Sequence, residues 1–273
     1  MAGRITGKLR KVRRILRGDM LQGEPHERIE RFAVLEFDRA AEIAKSKTEL
    51  ERLFWSHDGR LVHKWVHYLP IHDRYLGQFK AGFPDGKGGR RPLRMLEIGV
   101  SRGGSLQLWR KFLGPQAIIF GVDIDPICKA LDHPDLPVRI GSQADPEFLK
   151  AVVAEMGGVD VVIDDGSHFP EHQRASFDAL YGLLPEGGLY VVEDTQTSYW
   201  EPWDGGFRRR GSWIELAKTL VDDMHAWYHV SRVDRPMAKS QVGAVTFLDG
   251  IVIIEKWRRQ EPQQVQIGVD PRK

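Results

Sequence analysis

The chain has 273 residues, of which 41% are hydrophobic and 29% charged, and carries a net charge of +2. That composition is ordinary for a globular protein with one large α/β domain and extensions. It excludes a disulfide scaffold, because Cys128 is the only cysteine, and a spanning helix, because no apolar run nears the roughly 20 residues a bilayer needs.

Residues 1–18 hold Arg4, Lys8, Arg10, Lys11, Arg13, Arg14 and Arg17 and no acid, which leaves the rest of the chain net negative. Ile5, Leu9, Val12 and Leu16 recur between them at helical spacing. Such a basic amphipathic arm suits an anionic membrane surface or a partner subunit, and it lacks the continuous apolar core of a signal peptide. The expected setting is the cytoplasm, with peripheral membrane contact through 1–18 and assembly as a homo-oligomer. Nucleic acid is not an expected partner, because the basic charge does not continue onto the main domain.

From 25 to 55 interleaved polar and apolar residues predict a helix, opening a helical extension or lid over 19–90. The stretch from Ser56 to Leu76 is dense in His and aromatics. His63 and His67 stand one helical turn apart, but no third ligand has matching spacing, so a lid or core packing is favoured over zinc. Gly and Pro mark 81–92 as a loop.

The main domain, 91–257, opens with L-R-M-L-E-I-G-V-S-R-G-G-S-L. A strand ends in Glu97, a turn with Gly99 and Gly103 follows, and a helix begins near Gly104. Glycine permits close backbone approach to a ligand and a helix amino end favours an anion. Ser101 breaks the dinucleotide pattern G-x-G-x-x-G. A second strand (117–125) ends at Asp123, where an acid can accept both hydroxyls of an adenosine ribose. A third (136–145) ends at Ser142 and Gln143, the latter expected to reach adenine.

The fourth strand runs V-V-I-D-D-G-S-H over 161–168, and the fifth Y-V-V-E-D over 190–194. Both are apolar runs that stop at paired carboxylates. If the strands are neighbours, Asp164, Asp165, Glu193 and Asp194 crowd together, and so many acids need a cation or raised pKa values. His168 lies beside them. Asp164 is assigned to the cofactor side or to structure. Phe177, Leu180, Tyr181 and Leu184 form the apolar face of a helix behind the fourth strand. The connection 195–211 is long and aromatic, with Tyr199, Trp200 and Trp203 suited to stacking on a sugar or to an oligomer contact. Ser212 and Glu215 predict a capping box for a helix reaching about His229. Two strand-like runs, 241–248 and 251–257, flank Asp249–Gly250 as a hairpin. The tail 258–273 is polar. The fold class is thus α/β, a Rossmann-like seven-stranded class I methyltransferase sheet with an antiparallel C-terminal hairpin and a helical N-terminal extension.

The motifs L-E-I-G-V-S-R-G-G-S-L, G-V-D-I-D, G-S-Q-A-D, I-D-D-G-S-H, V-E-D-T-Q-T-S-Y-W and I-V-I-I-E-K resemble the metal-dependent sugar O-methyltransferases. That family includes the macrolide deoxysugar 2-O-methyltransferases and rhamnosyl O-methyltransferases, with the cephalosporin hydroxylases related. The resemblance spans about 56–257 and does not include the large N-terminal domain of the macrolide enzymes. It implies S-adenosylmethionine and Mg²⁺ as cofactors, Asp165, Glu193 and Asp194 as metal ligands, and His168 as catalytic base. Glu97, Gly99, Gly103, Asp123, Ser142, Gln143 and Asp164 fall to the cofactor, and His67, Tyr68, Tyr199 and Trp200 to the substrate. The implied reaction methylates a hydroxyl of a small-molecule sugar or a glycan. A catechol-type methyltransferase and a non-catalytic cofactor-binding subunit are the rival readings, and a nicotinamide oxidoreductase fits least.

Overall fold

The computed structural model describes residues 36–229, 241–269 and 272. The basic segment 1–18 and the start of the helix expected over 25–55 lie outside the described residues. From residue 36 onward that helix is two: α1 (Arg39–Lys45) and α2 (Glu49–Trp55). Thr48 is the reason for the break. Its hydroxyl accepts from the Glu51 backbone N–H while Glu51 reaches back to the Thr48 N–H, a capping box that starts a new helix. The aromatic stretch becomes helical only at α3 (Tyr68–Leu76), and 61–65 has no regular structure. His63 and His67 therefore do not share a helix face, which removes the basis for pairing them. The loop 81–92 contains a two-residue antiparallel ladder, β1 (Phe83–Pro84) with β2 (Arg90–Arg91).

Then follow β3 (Arg94–Ile98), α4 (Gly104–Leu113), β4 (Ile118–Asp123), β5 (Val138–Ile140), α5 (Pro146–Glu155), β6 (Val161–Asp164), α6 (Pro170–Leu180), β7 (Leu189–Val192), α7 (Trp213–Met224), β8 (Val242–Leu248) and β9 (Ile251–Lys256). Seven strands form one sheet in the order β5-β4-β3-β6-β7-β9-β8. β4 pairs with β5 and β6 with β7 in parallel, while β9 runs antiparallel to both β7 and β8. The closing hairpin turns at Gly250, whose φ of 74° is one glycine adopts without strain.

The described residues divide into two compact units: those up to 93 with 97–142, and 94–96 with those from 143 onward. In the first, α4 begins after Gly103, whose φ is 77°, and buries Leu106, Trp109 and Phe112. His72 of α3 packs edge-on to Trp109 at 5.1 Å. In the second, β6 and β7 are buried along their whole length, as parallel strands covered on both faces are. Phe177 on α6 stacks on Tyr181 at 4.8 Å and meets Tyr190 at 5.1 Å and Trp213 at 5.6 Å. Each buried ring contributes on the order of 2–3 kcal/mol. The edge strand β8 is largely half-buried, as a sheet margin should be.

Two local readings change. The Ser212 hydroxyl caps α7 through the Glu215 N–H, but Glu215 pairs with Lys218, and α7 ends at Met224 before a 3₁₀ turn at Ala226–Tyr228. The connection 195–211 has more order than its length suggests, with 3₁₀ turns at Thr195–Tyr199 and Glu201–Trp203 and a buried Trp203.

Candidate active site

In the second unit β6 delivers Asp164, fully buried, as its last residue. Its carboxylate accepts from the Ser176 hydroxyl at 2.6 Å, the Gln143 amide at 3.1 and 3.3 Å and the Tyr190 hydroxyl at 3.4 Å. Burial pushes the Asp164 carboxyl above its usual range, and burial together with that carboxyl pushes the Tyr190 phenol up. Asp164 is thus held by internal partners.

One residue later the chain leaves the strand. Asp165 is 20% exposed, His168 15% and Asp194, just beyond β7, 24%. His168 Nε2 lies 3.5 Å from Asp194 Oδ2 and 4.0 Å from Asp165 Oδ1. One ligand atom from each of the three falls within 4.8 Å of the others. Atoms bound to one cation at 2.0–2.6 Å are separated by about 3–5 Å, so the trio fits a shared divalent ion, and two carboxylates favour a hard one. His168 and Asp194 both adopt left-handed backbone, with φ of 58° and 52°. Such conformations are costly for residues other than glycine and cluster at functional sites. The Nδ1 of His168 is buried with no hydrogen-bond partner among the described residues.

The sequence reading placed Glu193 with Asp165 and Asp194. Here Glu193 is buried and falls outside the trio, whose third member is His168. Gln143, expected at adenine, spends its amide inside the unit: Nε2 donates to Asp164 and Oε1 accepts from the Ser167 N–H at 2.7 Å. Tyr199 is half exposed, and Trp200 packs against Trp203 at 5.5 Å.

In the first unit Glu97 is fully buried at the end of β3. The Trp109 indole N–H and the Ser105 hydroxyl each donate to it at 2.8 Å, and Lys64, its side chain 3% exposed, lies 4.0 Å away. Gly99 has φ 98° and donates to the Val122 carbonyl at 2.8 Å. Asp123 closes that turn: Oδ2 accepts from the Val100 and Ser101 N–H groups and Oδ1 from Asp125, all at 2.9 Å. A carboxylate has about four acceptor positions, so this leaves capacity for a ribose hydroxyl. The freedom of the next glycines is used by the chain itself. A Cβ on Gly103 would press on Arg60 and Leu131, and one on Gly104 would overlap the Arg60 and Leu61 carbonyl oxygens. Ser142 is half-buried, Tyr68 is buried at the start of α3, and His67 before it is exposed. Cys128 is buried, and burial with Asp123 nearby pushes its thiol up to about 12, so it offers no thiolate.

Sequence reasoning missed Lys64, Trp109, Ser176 and Tyr190, the partners of these acids, and also the pair Ser167–His172, joined at 2.8 Å. For Ser176 a signal existed, because it shares a helix stripe with Phe177 and Leu180. For Lys64 none did.

No family model matches the chain. It is 32% identical over 225 residues to the 8-demethyl-8-(2-methoxy-alpha-L-rhamnosyl)-tetracenomycin-C 3'-O-methyltransferase of Streptomyces olivaceus, a match over 78% of this chain and 55% of the relative. Against the 8-demethyl-8-alpha-L-rhamnosyl tetracenomycin-C 2'-O-methyltransferase of the same organism the identity is 32% over 232 residues, 76% of this chain and 58% of the relative. Among solved structures, the MycE methyltransferase of the mycinamycin biosynthetic pathway, in complex with Mg, SAH and mycinamycin VI, superposes with a TM-score of 0.63 and 31% identity over 77% of this chain and 53% of that one. The chain spans little more than half the length of these relatives. Its fold is that of a class I methyltransferase. Within that class, the matched part of the chain is similar to these O-methyltransferases.

Proposed function

We propose that this protein transfers a methyl group from S-adenosylmethionine to a hydroxyl of a sugar, with Mg²⁺ as second cofactor. The observation that carries the reading is the convergence of Asp165, His168 and Asp194 within 4.8 Å, on backbone strained at two of the three. Asp165 and Asp194 would hold the cation, with Glu193 as the further acid of the family pattern. When bound, such a cation would make a sugar hydroxyl that it coordinates more acidic. His168 is the general base: it takes the hydroxyl proton on Nε2, the nitrogen that faces the two acids. S-adenosylmethionine would supply the methyl group to the deprotonated oxygen, leaving S-adenosylhomocysteine, and orientation would supply much of the acceleration. Asp123 is assigned to the ribose and Glu97 to the amino-acid end of the cofactor. The exposed Tyr199 offers a face on which a sugar ring can stack.

A second reading makes His168 the third metal ligand, because its Nε2 is one of the three converging atoms. His168→Ala separates the two. Loss of turnover with Mn²⁺ affinity kept supports the base, and loss of Mn²⁺ affinity supports the ligand.

The whole proposal is tested by incubating the chain with S-adenosylmethionine, Mg²⁺ and a panel of rhamnosides and deoxysugar glycosides. A methylated glycoside, abolished by EDTA and restored by Mg²⁺, is expected. Binding of S-adenosylhomocysteine with no methylation of any acceptor in the presence of Mg²⁺ would favour a cofactor-binding subunit instead. Action in the cytoplasm as a homo-oligomer, with residues 1–18 on a membrane surface, belongs to the same proposal and is checked by light scattering and by sedimentation with anionic vesicles. No helix among the described residues is long and apolar enough to cross a membrane.

A further inference from the structure

We infer that Gln143 is a positioning residue for the loop that carries Asp165 and His168, and that its amide is not an adenine contact. The inference rests on the metal-assisted reading of that loop.

Gln143 follows β5 and is 7% exposed. Its Nε2 donates to both oxygens of Asp164, at 3.1 and 3.3 Å, and its Oε1 accepts the Ser167 N–H at 2.7 Å. One side chain therefore grips the loop at two points, immediately before Asp165 and immediately before His168. Only one orientation of the amide satisfies both ends. Turned over, its oxygen would face the Asp164 carboxylate and its NH₂ the Ser167 N–H, two repulsive contacts in a buried place. A primary amide has two N–H groups and one carbonyl, so this grip leaves little of it for a nucleobase.

Other contacts complete the clamp. Ser176 donates to Asp164 from α6 at 2.6 Å, and the Ser167 hydroxyl pairs with His172 Nδ1 at 2.8 Å. Between and beyond the clamped points, Asp165 and His168 are the residues whose ligand atoms converge with that of Asp194 within 4.8 Å. The left-handed backbone of His168 is not one a free loop would keep, and a loop fixed on both sides can hold it. Partners that orient ligating side chains tune metal affinity by about 10–100-fold.

The test measures, by isothermal titration, the affinity of Mn²⁺ alone and of S-adenosylhomocysteine alone for the wild-type chain and for Gln143→Leu. A Mn²⁺ affinity at least 10-fold weaker with an S-adenosylhomocysteine affinity within 2-fold is the expected result. The reverse pattern would restore the adenine contact and overturn the inference. Equal losses of both would mark a general structural role, and no loss of either would mark no role; each overturns it. A wild-type chain that fails to bind Mn²⁺ would sink the proposed metal chemistry itself, and the inference with it. Should Gln143→Leu fail to fold, Gln143→Asn keeps a polar group but is too short to reach both ends. The same selective loss of Mn²⁺ affinity is expected for it, and an unchanged affinity refutes the inference.

Discussion

The acids at the strand ends of the two units differ in what surrounds them. In the first unit Glu97 and Asp123 are buried and face donors of their own unit: an indole, a hydroxyl and three backbone N–H groups. In the second, Asp165 and Asp194 are a fifth to a quarter exposed and converge on a histidine, on backbone that neither His168 nor Asp194 prefers. The first arrangement stabilises the fold, because each carboxylate satisfies buried and part-buried donors. The second keeps negative charges close together, which costs stability unless a cation joins them. Carboxylates at the ends of strands thus serve architecture and, by our proposal, the cofactor in one unit, and the cation and proton transfer in the other.

The sharpest way to break this contrast is to remove one acid from each side. Asp194→Asn should weaken Mn²⁺ binding by roughly 100-fold or more, since losing a ligand exceeds the 10–100-fold effect of losing a ligand's partner. Methyl transfer should fall at least as far. Its unfolding free energy in urea should stay level or rise by about 0.5–1 kcal/mol, as function-bearing charge crowding is relieved. Asp123→Ala should behave oppositely, losing about 3 kcal/mol of stability because three backbone N–H groups lose their acceptor. If Asp194→Asn proves the more destabilising of the two, the division fails.

How far the sequence exposed this division follows from what it encodes. Alternation of apolar strands and helices, the Asp249–Gly250 turn and the carboxylates at strand ends were legible, because periodicity and turn chemistry are local. Asp165, His168 and Asp194 were named from one short motif and its neighbour strand. The burial of Asp164 beside the exposure of Asp165 was not legible, since both follow the same apolar run and only Ser176, Tyr190 and Gln143, distant in sequence, decide between them. The break at Ser46–Thr48 could have been read, because T-x-x-E is a capping signature, but the helical period on either side masked it. Gly103 and Gly104 looked like a ligand turn. A sequence does not reveal that its own residues Arg60 and Leu61 fill that space.

That last point is open to a smaller perturbation. Gly104→Ala should cost about 2 kcal/mol, the range for forcing a methyl into a packed site, because its Cβ meets two backbone carbonyls that cannot turn aside as a side-chain end can. The effect belongs to the first unit's architecture. Protease sensitivity near Arg60 should rise with it, while Mn²⁺ affinity stays unchanged. A stable, protease-resistant Gly104→Ala chain would mean that the lead-in does not rest on the helix start.

The smallest effect gives the most even-handed comparison, because the two units contain the same device. Ser105 donates to buried Glu97 at 2.8 Å, and Ser176 donates to buried Asp164 at 2.6 Å. Either serine replaced by alanine removes one hydroxyl from a carboxylate that keeps other partners, so each change should cost about 1.5 kcal/mol in urea unfolding. Similar costs are expected because both acids are fully buried and both donors are serine hydroxyls. Their consequences should not match. Ser105→Ala loosens an acid outside the proposed metal site, and Mn²⁺ affinity should not move. Ser176→Ala loosens the residue next to Asp165 and inside the Gln143 clamp, so Mn²⁺ affinity should fall several-fold at the same loss of stability. Two variants with equal stability and unequal metal affinity would separate the fold's requirement for a buried acid from the site's requirement for a fixed loop. Equal metal affinities would show that the clamp at Asp164 supports the sheet and nothing more.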